Sequence, residues 1–245
     1  MSSLSPDRTV HELFTAIGSR DLRRIHAHLA SEIVWQNVPH PPVTGRDEVL
    51  AMLAGIVTWS DEVHWDVVSV AVDGSDVHVE HTDHFVVDGV DHAVRCNGVV
   101  RVDEGVVMAV RDFVDLGEWR TRIGPVLTAM AERPADLVVK RHLTAVRSGD
   151  PVAMAADYTL DAILERPDGV RKGWQEIADY FDSIPSRLAG GSVEFDPPRR
   201  RPDGRVEVEW TIRGAQRSPI GGHDEYQVVA GRIRHQVVTL TDDDF

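Results

Sequence analysis

Along roughly the first sixty residues, apolar side chains recur every three or four positions; beyond them they recur every second position. Val10, Leu13, Phe14 and Ile17 share one face of a helix that Ser5-Pro6 opens and Gly18 closes. Asp21 opens a second, shorter helix carrying Leu22, Ile25 and Leu29, and a third over 46–58 aligns Val49, Met52, Leu53 and Ile56. Between them, 33–37 reads as a strand. The prolines of 38–45 rule out regular structure there, because each fixes φ and removes a backbone donor. From residue 63 the alternation predicts strands at 63–72, 77–87, 93–102 and 106–116, with Asp103-Glu104-Gly105 as a hairpin signal between the last two. Gly124-Pro125 and Arg133-Pro134 then break the pattern around a helical connector at 126–133.

After that break the same order begins again. Helices are predicted over 137–146, from Asp150 as an N-cap, and over 174–184; strands are predicted at 161–165, 192–195, 206–213, 224–229 and 232–239. Short segments match across the halves: Gly45-Arg46-Asp47-Glu48-Val49 with Gly173-Trp174-Gln175-Glu176-Ile177, Val77-His78-Val79-Glu80 with Val206-Glu207-Val208-Glu209, and Gly105-Val106-Val107 with Gly231-Arg232-Ile233. The expected fold class is α+β in tandem, each half carrying three N-terminal helices on a curved, mostly antiparallel sheet. The predicted domains are 1–125 and 134–245.

Composition narrows the partners. The chain has 245 residues, of which 42% are hydrophobic, and a net charge of −14, which disfavours nucleic acid and anionic membrane as partners. The one basic cluster, Arg199-Arg200-Arg201, lies among prolines and reads as a solvated loop. Cys96 is the only cysteine, so no intrachain disulfide forms, which fits a reducing cytoplasm. Met1-Ser2-Ser3-Leu4-Ser5-Pro6 lacks a basic region followed by an apolar run, so no signal peptide is expected, and no run is long enough to span a bilayer. There is no Gly-rich phosphate loop and no nucleophile elbow. His78, His81, His84 and His92 cluster around Asp83, but His78 and His84 face away from His81; neither a metal nor a cofactor is expected.

The chemistry concentrates on the strand at 77–87. Val77, Val79, His81, Asp83 and Phe85 share one face, so an ionisable pair sits in the middle of an apolar row. Burying that pair costs free energy unless something compensates it; a strand whose His81 and Asp83 sit at a wet rim is the plain alternative. On the strand at 106–116, Met108, Val110, Asp112 and Val114 share a face. If both faces line one apolar cavity, Asp83 and Asp112 cannot easily both ionise, and one acid and one base result.

Three segments give the first half a family resemblance: Trp35-Gln36-Asn37-Val38-Pro39-His40-Pro41-Pro42 with Gly45-Arg46, then Glu80-His81-Thr82-Asp83, then Arg111-Asp112-Phe113-Val114-Asp115-Leu116. They resemble the limonene-1,2-epoxide hydrolase family. That family lies within the superfamily of cone-shaped α+β barrels that includes nuclear transport factor 2, ketosteroid isomerase and the SnoaL-like polyketide cyclases. The resemblance implies that Asp83 protonates an epoxide oxygen, that Asp112 takes a proton from water, and that Asn37 helps to hold that water. Two positions depart from the pattern: His81 stands where the family has arginine, and Trp35 where it has tyrosine. Trp35 can donate to the water's oxygen or to a substrate oxygen but cannot accept. Met52, Ile56, Phe85, Met108 and Val110 are the expected apolar wall for a small apolar substrate.

The resemblance thus implies an epoxide hydrolase or an epoxide-opening cyclase. A cyclase or isomerase with a single acid–base residue, and a non-catalytic binding scaffold, are the alternatives. The resemblance also implies pairing of the open sheets, as an internal pseudo-dimer or a homodimer. The second half looks SnoaL-like in element order only. There Trp210 stands for His81, Ile212 for Asp83, Val238 for Asp112, and Glu165 roughly for Trp35. Glu165, Trp210, Asp224 and Glu225 are its polar candidates, against a domain kept for packing.

Overall fold

The computed structural model describes residues 4–188, 190–214 and 219–240; Met1-Ser2-Ser3 of the opening segment lie outside them. The chain divides into two compact units, Met1–Thr128 and Ala129–Phe245. In order, the first carries α1 (Pro6–Gly18), α2 (Leu22–His28), β1 (Leu29–Val38), β2 (Val43–Thr44), α3 (Arg46–Val57), β3 (Glu62–Asp73), β4 (Asp76–Val87), β5 (Val90–Asp91), β6 (Val94–Asp103), β7 (Val106–Val114), α4 (Leu116–Arg122) and α5 (Gly124–Ala131), whose last turn passes into the second unit. The second carries α6 (Ala135–Ser148), α7 (Pro151–Ala156), β8 (Tyr158–Arg166), β9 (Gly169–Lys172), α8 (Trp174–Leu188), β10 (Ser192–Phe195), β11 (Arg199–Arg200), β12 (Val206–Arg213), β13 (Ile220–Val229) and β14 (Arg232–Leu240).

Each unit has one seven-stranded sheet, ordered β2-β1-β7-β6-β4-β3 in the first and β10-β12-β13-β14-β8-β9 in the second. These are one topology: β8 takes the place of β1, β12 of β4, β13 of β6 and β14 of β7. Within this core path only β1–β7 and β14–β8 pair in parallel, and the sheets stay open. The repeat seen in the sequence is therefore a repeat of α+β architecture.

Local chemistry explains the elements. Asp21 accepts from the backbone N–H of Arg23 and Arg24, and Asp150 from those of Val152 and Ala153, so both short helices start on a satisfied cap. Leu13 and Ile17 of α1 are fully buried, as the helical spacing requires. Glu104 and Gly105 have φ of 46° and 83°, and Ala230 and Gly231 have 45° and 72°, so both hairpins use turns with two left-handed residues, whose twist matches the strands.

Five local expectations change. Val43–Thr44, inside the proline segment expected to be irregular, pair with β1 as β2, because neither residue is a proline and both keep their backbone donors. The strand predicted over 106–116 ends at Val114, because Asp115 turns to cap α4 through the Glu118 N–H. Met108 falls at a bulge between β6 and β7, so it leaves the face shared by Val110 and Asp112. The helix expected to stop at residue 184 runs through Pro185 to Leu188, with Tyr180, Phe181 and Ile184 buried along it. β13 begins at Ile220 rather than at 224, through Gly221-Gly222, which are poor strand formers. The packing explains this glycine: a Cβ on Gly222 would stand 2.1 Å from the Trp210 ring.

Gly222→Ala is therefore expected to destabilise the second unit by roughly 1–3 kcal/mol through overpacking. Gly214→Ala, where a Cβ meets nothing within 4 Å, should leave the unfolding midpoint in place. Urea denaturation of both variants followed by tryptophan fluorescence checks this.

Candidate active site

β4 and β7 bring the two carboxyls together across β6. His81 and Asp83 alternate inward on β4, and Asp112 lies opposite Gly98 in the β6–β7 register. The three side chains are 1%, 5% and 4% exposed, respectively. His81 bridges the carboxyls: Nδ1–H donates to Asp83 Oδ1 at 2.7 Å, and Nε2–H faces Asp112 Oδ1 at 3.4 Å. Gly98 makes this possible, since a Cβ there would stand 2.7 Å from Asp112 Oδ1 and 3.4 Å from His81 Nε2.

The electrostatics follow from that geometry. Burial by itself lowers the basicity of His81, but the hydrogen bonds to Asp112 and Asp83 and their charges override it and raise its pKa to about 9. Near neutral pH the ring is an imidazolium and carries the positive charge an arginine would supply. Burial is also the main reason that Asp83 holds a proton more readily than an exposed carboxyl, with the His81 contact opposing it. The Cys96 thiol, 3.5 Å from Asp83 Oδ2, is pushed up by burial and by the nearby carboxylates, so it stays protonated.

Aromatic rings enclose the bridge. His81 stacks on Trp65 with centroids 5.4 Å apart and 21° between planes, and Phe14 lies 5.1 Å away on a tilted approach. A cavity of about 120 Å³ opens beside the triad, lined by Trp35, Asn37, Asp83, Cys96 and Asp112 among others. Met52, Ile56 and Phe85 line it as anticipated. Met108 and Val110 do not: the bulge displaces the first, and the second is buried in the core. Leu53, Val57, Trp65, Val114, Trp119 and Leu127 complete the wall. Trp119 was missed because α4 was not anticipated, although the Asp115 cap was an available signal, and Leu127 because α5 was read only as a connector. Trp65 was missed because its place opposite Asp83 depends on the β3–β4 register.

Trp35 does not hold the role envisaged for its donor. Its indole N–H donates to Asn37 Oδ1 at 3.2 Å, so it orients Asn37 instead of meeting water or substrate directly. The Trp65 Nε1, by contrast, has no hydrogen-bond partner among the described residues.

Two groups have metal-ligand spacing, their ligand atoms within 4.8 Å of one another: His81, Asp83 and Cys96, and on the outer side His64, Asp66 and His84. In the first set His81 Nδ1 is engaged by Asp83 Oδ1 at 2.7 Å and its Nε2 faces Asp112 Oδ1. In the second set, the rings of His64 and His84 stack with centroids 4.3 Å apart, and His84 Nδ1 pairs with Asp91 Oδ2 at 2.8 Å.

Comparison with known proteins bears on both halves. The model of the SnoaL-like domain matches residues 10–110 and again 139–236. The chain belongs to the SnoaL-like domain family. Solved structures with similarity include an LEH-like epoxide hydrolase of M. tuberculosis, 22% identical, covering 51% of this chain and 93% of that one with a TM-score of 0.42. A putative SnoaL-like polyketide cyclase of Shewanella denitrificans OS-217 is 11% identical over 49% of this chain and 97% of its own, with a TM-score of 0.44. An NTF2-like protein of unknown function from Burkholderia pseudomallei K96243 is 24% identical over 49% and 98%, with a TM-score of 0.44.

The second SnoaL-like domain places its polar candidates differently. In the β12–β13–β14 register, Trp210 and Ile212 occupy the places of His81 and Asp83, and Val238 that of Asp112. Leu164, not Glu165, takes the place of Trp35, because Leu164 pairs with Gln236 just as Trp35 pairs with Val110. Glu165 faces outward and accepts from His235 Nε2 at 2.9 Å. Glu225 also faces out, and ion pairs with Arg201 at 2.8 Å and Arg205 at 3.1 Å tie it to the basic cluster; Arg199 and Arg200 of that cluster form the short strand β11 rather than a loop. Asp224 and Trp210 alone turn inward, and they meet: the indole N–H donates to Asp224 Oδ1 at 2.8 Å.

The folded pKa of His81, about 9, exceeds its ordinary 6.5, so the native state binds this proton more tightly than the unfolded chain does. Its contribution, on the order of 3 kcal/mol, is complete below pH 6.5 and is lost as pH rises through about 9. Denaturation midpoints measured across that window should fall with rising pH in the wild type and change far less in His81→Gln.

Proposed function

We propose that the first SnoaL-like domain opens an epoxide ring on a small apolar molecule by paired acid–base catalysis. The observation that carries this reading is the buried Asp83–His81–Asp112 bridge beside an apolar cavity. Asp83, which burial helps to keep protonated, gives its proton to the epoxide oxygen as the C–O bond breaks. Asp112 takes a proton from a water, or from a hydroxyl of the substrate itself, as that oxygen attacks the ring carbon. A water gives a diol and an internal hydroxyl gives a cyclic ether. Asn37, oriented by Trp35, holds the nucleophile.

The cycle ends with a proton on Asp112 and none on Asp83. As an imidazolium His81 already carries a proton on each nitrogen, so it stays the cation between the carboxyls while exchange with water returns the proton to Asp83 and removes it from Asp112. This assigns the histidine the role of the cation during ring opening, the charge an arginine would also supply.

The SnoaL-like family match, over residues 10–110, favours a second reading, in which Asp112 alone abstracts a proton in a cyclisation or isomerisation. A panel of epoxides with product analysis decides between them. On the leading reading, Asp83→Asn and Asp112→Asn each lower turnover by ~10²–10⁴-fold, the usual worth of a positioned acid or base. His81→Arg, which keeps the cation, retains turnover that His81→Gln loses. Full turnover in both asparagine variants would sink the paired mechanism.

A further inference from the structure

The second unit holds a cavity that takes no part in the chemistry proposed for Asp83 and Asp112. Its volume is about 70 Å³, and apolar side chains such as Phe181, Ile184, Val193, Ile212 and Val238 form most of its wall. Asp224, only 5% exposed, stands in this apolar surround. Its Oδ1 accepts the Trp210 N–H at 2.8 Å; its Oδ2 accepts the Tyr226 hydroxyl at 2.8 Å and the Gln236 amide at 2.9 Å. The Tyr158 hydroxyl donates to Gln236 Oε1, which fixes the amide so that its N–H groups face Asp224. Indole and amide N–H groups only donate, so this network is built around a carboxylate acceptor.

The position of the acid is itself informative. In the first unit one of the two inward carboxyls, Asp112, is on the last strand, and the residue opposite it is Gly98. In the second unit the corresponding pair is Val238 and Asp224. The acid has crossed to the neighbouring strand, where Val238 faces it in place of Gly98. A domain kept only for packing would gain from an apolar residue here, because burial pushes the Asp224 carboxyl up and only three neutral donors, helped by the charge of Arg166, oppose it. No cation of the described residues lies within ion-pair distance of Asp224; Arg166, in the cavity wall, pairs with Asp168 at 3.2 Å. Three donors occupy three of the roughly four acceptor directions of the carboxylate, which leaves one on Oδ1.

We propose that this cavity is a second, independent binding site that takes a small apolar molecule through a hydroxyl donating to Asp224 Oδ1. A hydroxyl supplies the missing donor, and the hydrogen bond is charge-assisted in a desolvated site, where it is strong. The apolar wall receives the rest of the molecule. This site does not depend on the reaction assigned to the first unit.

The test uses the full chain and two probes, p-cresol and 4-methylanisole, which share a ring but differ in the donor. Calorimetric titration should show p-cresol binding at one site, with 4-methylanisole at least tenfold weaker. Asp224→Asn should weaken p-cresol at least tenfold, and Ile212→Trp, which fills the cavity, should abolish its binding. If one variant fails to fold, the other still decides. No binding of p-cresol, equal binding of the ether, or binding that survives both substitutions would overturn the proposal.

Discussion

One buried cation organises the first unit. Two carboxyls, each about 5% exposed or less, would repel one another and drive one pKa far upward if nothing stood between them. His81 removes that conflict by offering a nitrogen to each, and its own charge is maintained by the groups it joins. The rest of the site accommodates this arrangement. Gly98 yields the space for Asp112, Trp65 and Phe14 enclose the ring, and Cys96 stays a thiol beside Asp83. Replacing any one of them changes the room available to the imidazole or its charge.

The second unit solves the problem of a buried acid by other means. It has the same strand order, yet it surrounds Asp224 with neutral donors and no bridging cation. The cost of that charge is met by an indole, a phenol and an amide, whose orientation is fixed by Tyr158. His142, buried nearby and 3.4 Å from the Tyr158 hydroxyl, is driven to a pKa of about 4 by burial and so stays neutral. One fold thus carries two electrostatic designs, an ion bridge in one unit and a neutral cradle in the other, and the exchange of an acid across a strand pair separates them.

Much of this was legible in the residue order. Helical and alternating periods gave the α+β class and the repeat, because burying one face of each element leaves a pattern that survives without coordinates. Asp21 and Asp150 announced their helices, since a cap is a local interaction. The alternation on β4 put His81 and Asp83 on one face, and the resemblance to epoxide hydrolases added Asn37 and Asp112. Where the reading went astray, the cause was non-local. Met108 left the expected face because a bulge depends on what β6 does opposite it, and Glu165 turned outward because its register is set by β14. Trp119 reaches the cavity from a helix the periodicity did not predict, and Leu127 from one that looked like a connector.

The sequence by itself determined the fold class, the duplication and which residues of a strand share a face, because these follow from spacing along one strand or helix. Only the tertiary structure decided what those carboxyls meet. That His81 bridges Asp83 and Asp112, that the Trp35 donor goes to Asn37, and that Asp224 is cradled by three neutral donors all depend on distances between strands far apart in the chain. Charge and hydrogen bonding act over a few ångströms in space, and no period in the sequence records which residues those few ångströms contain.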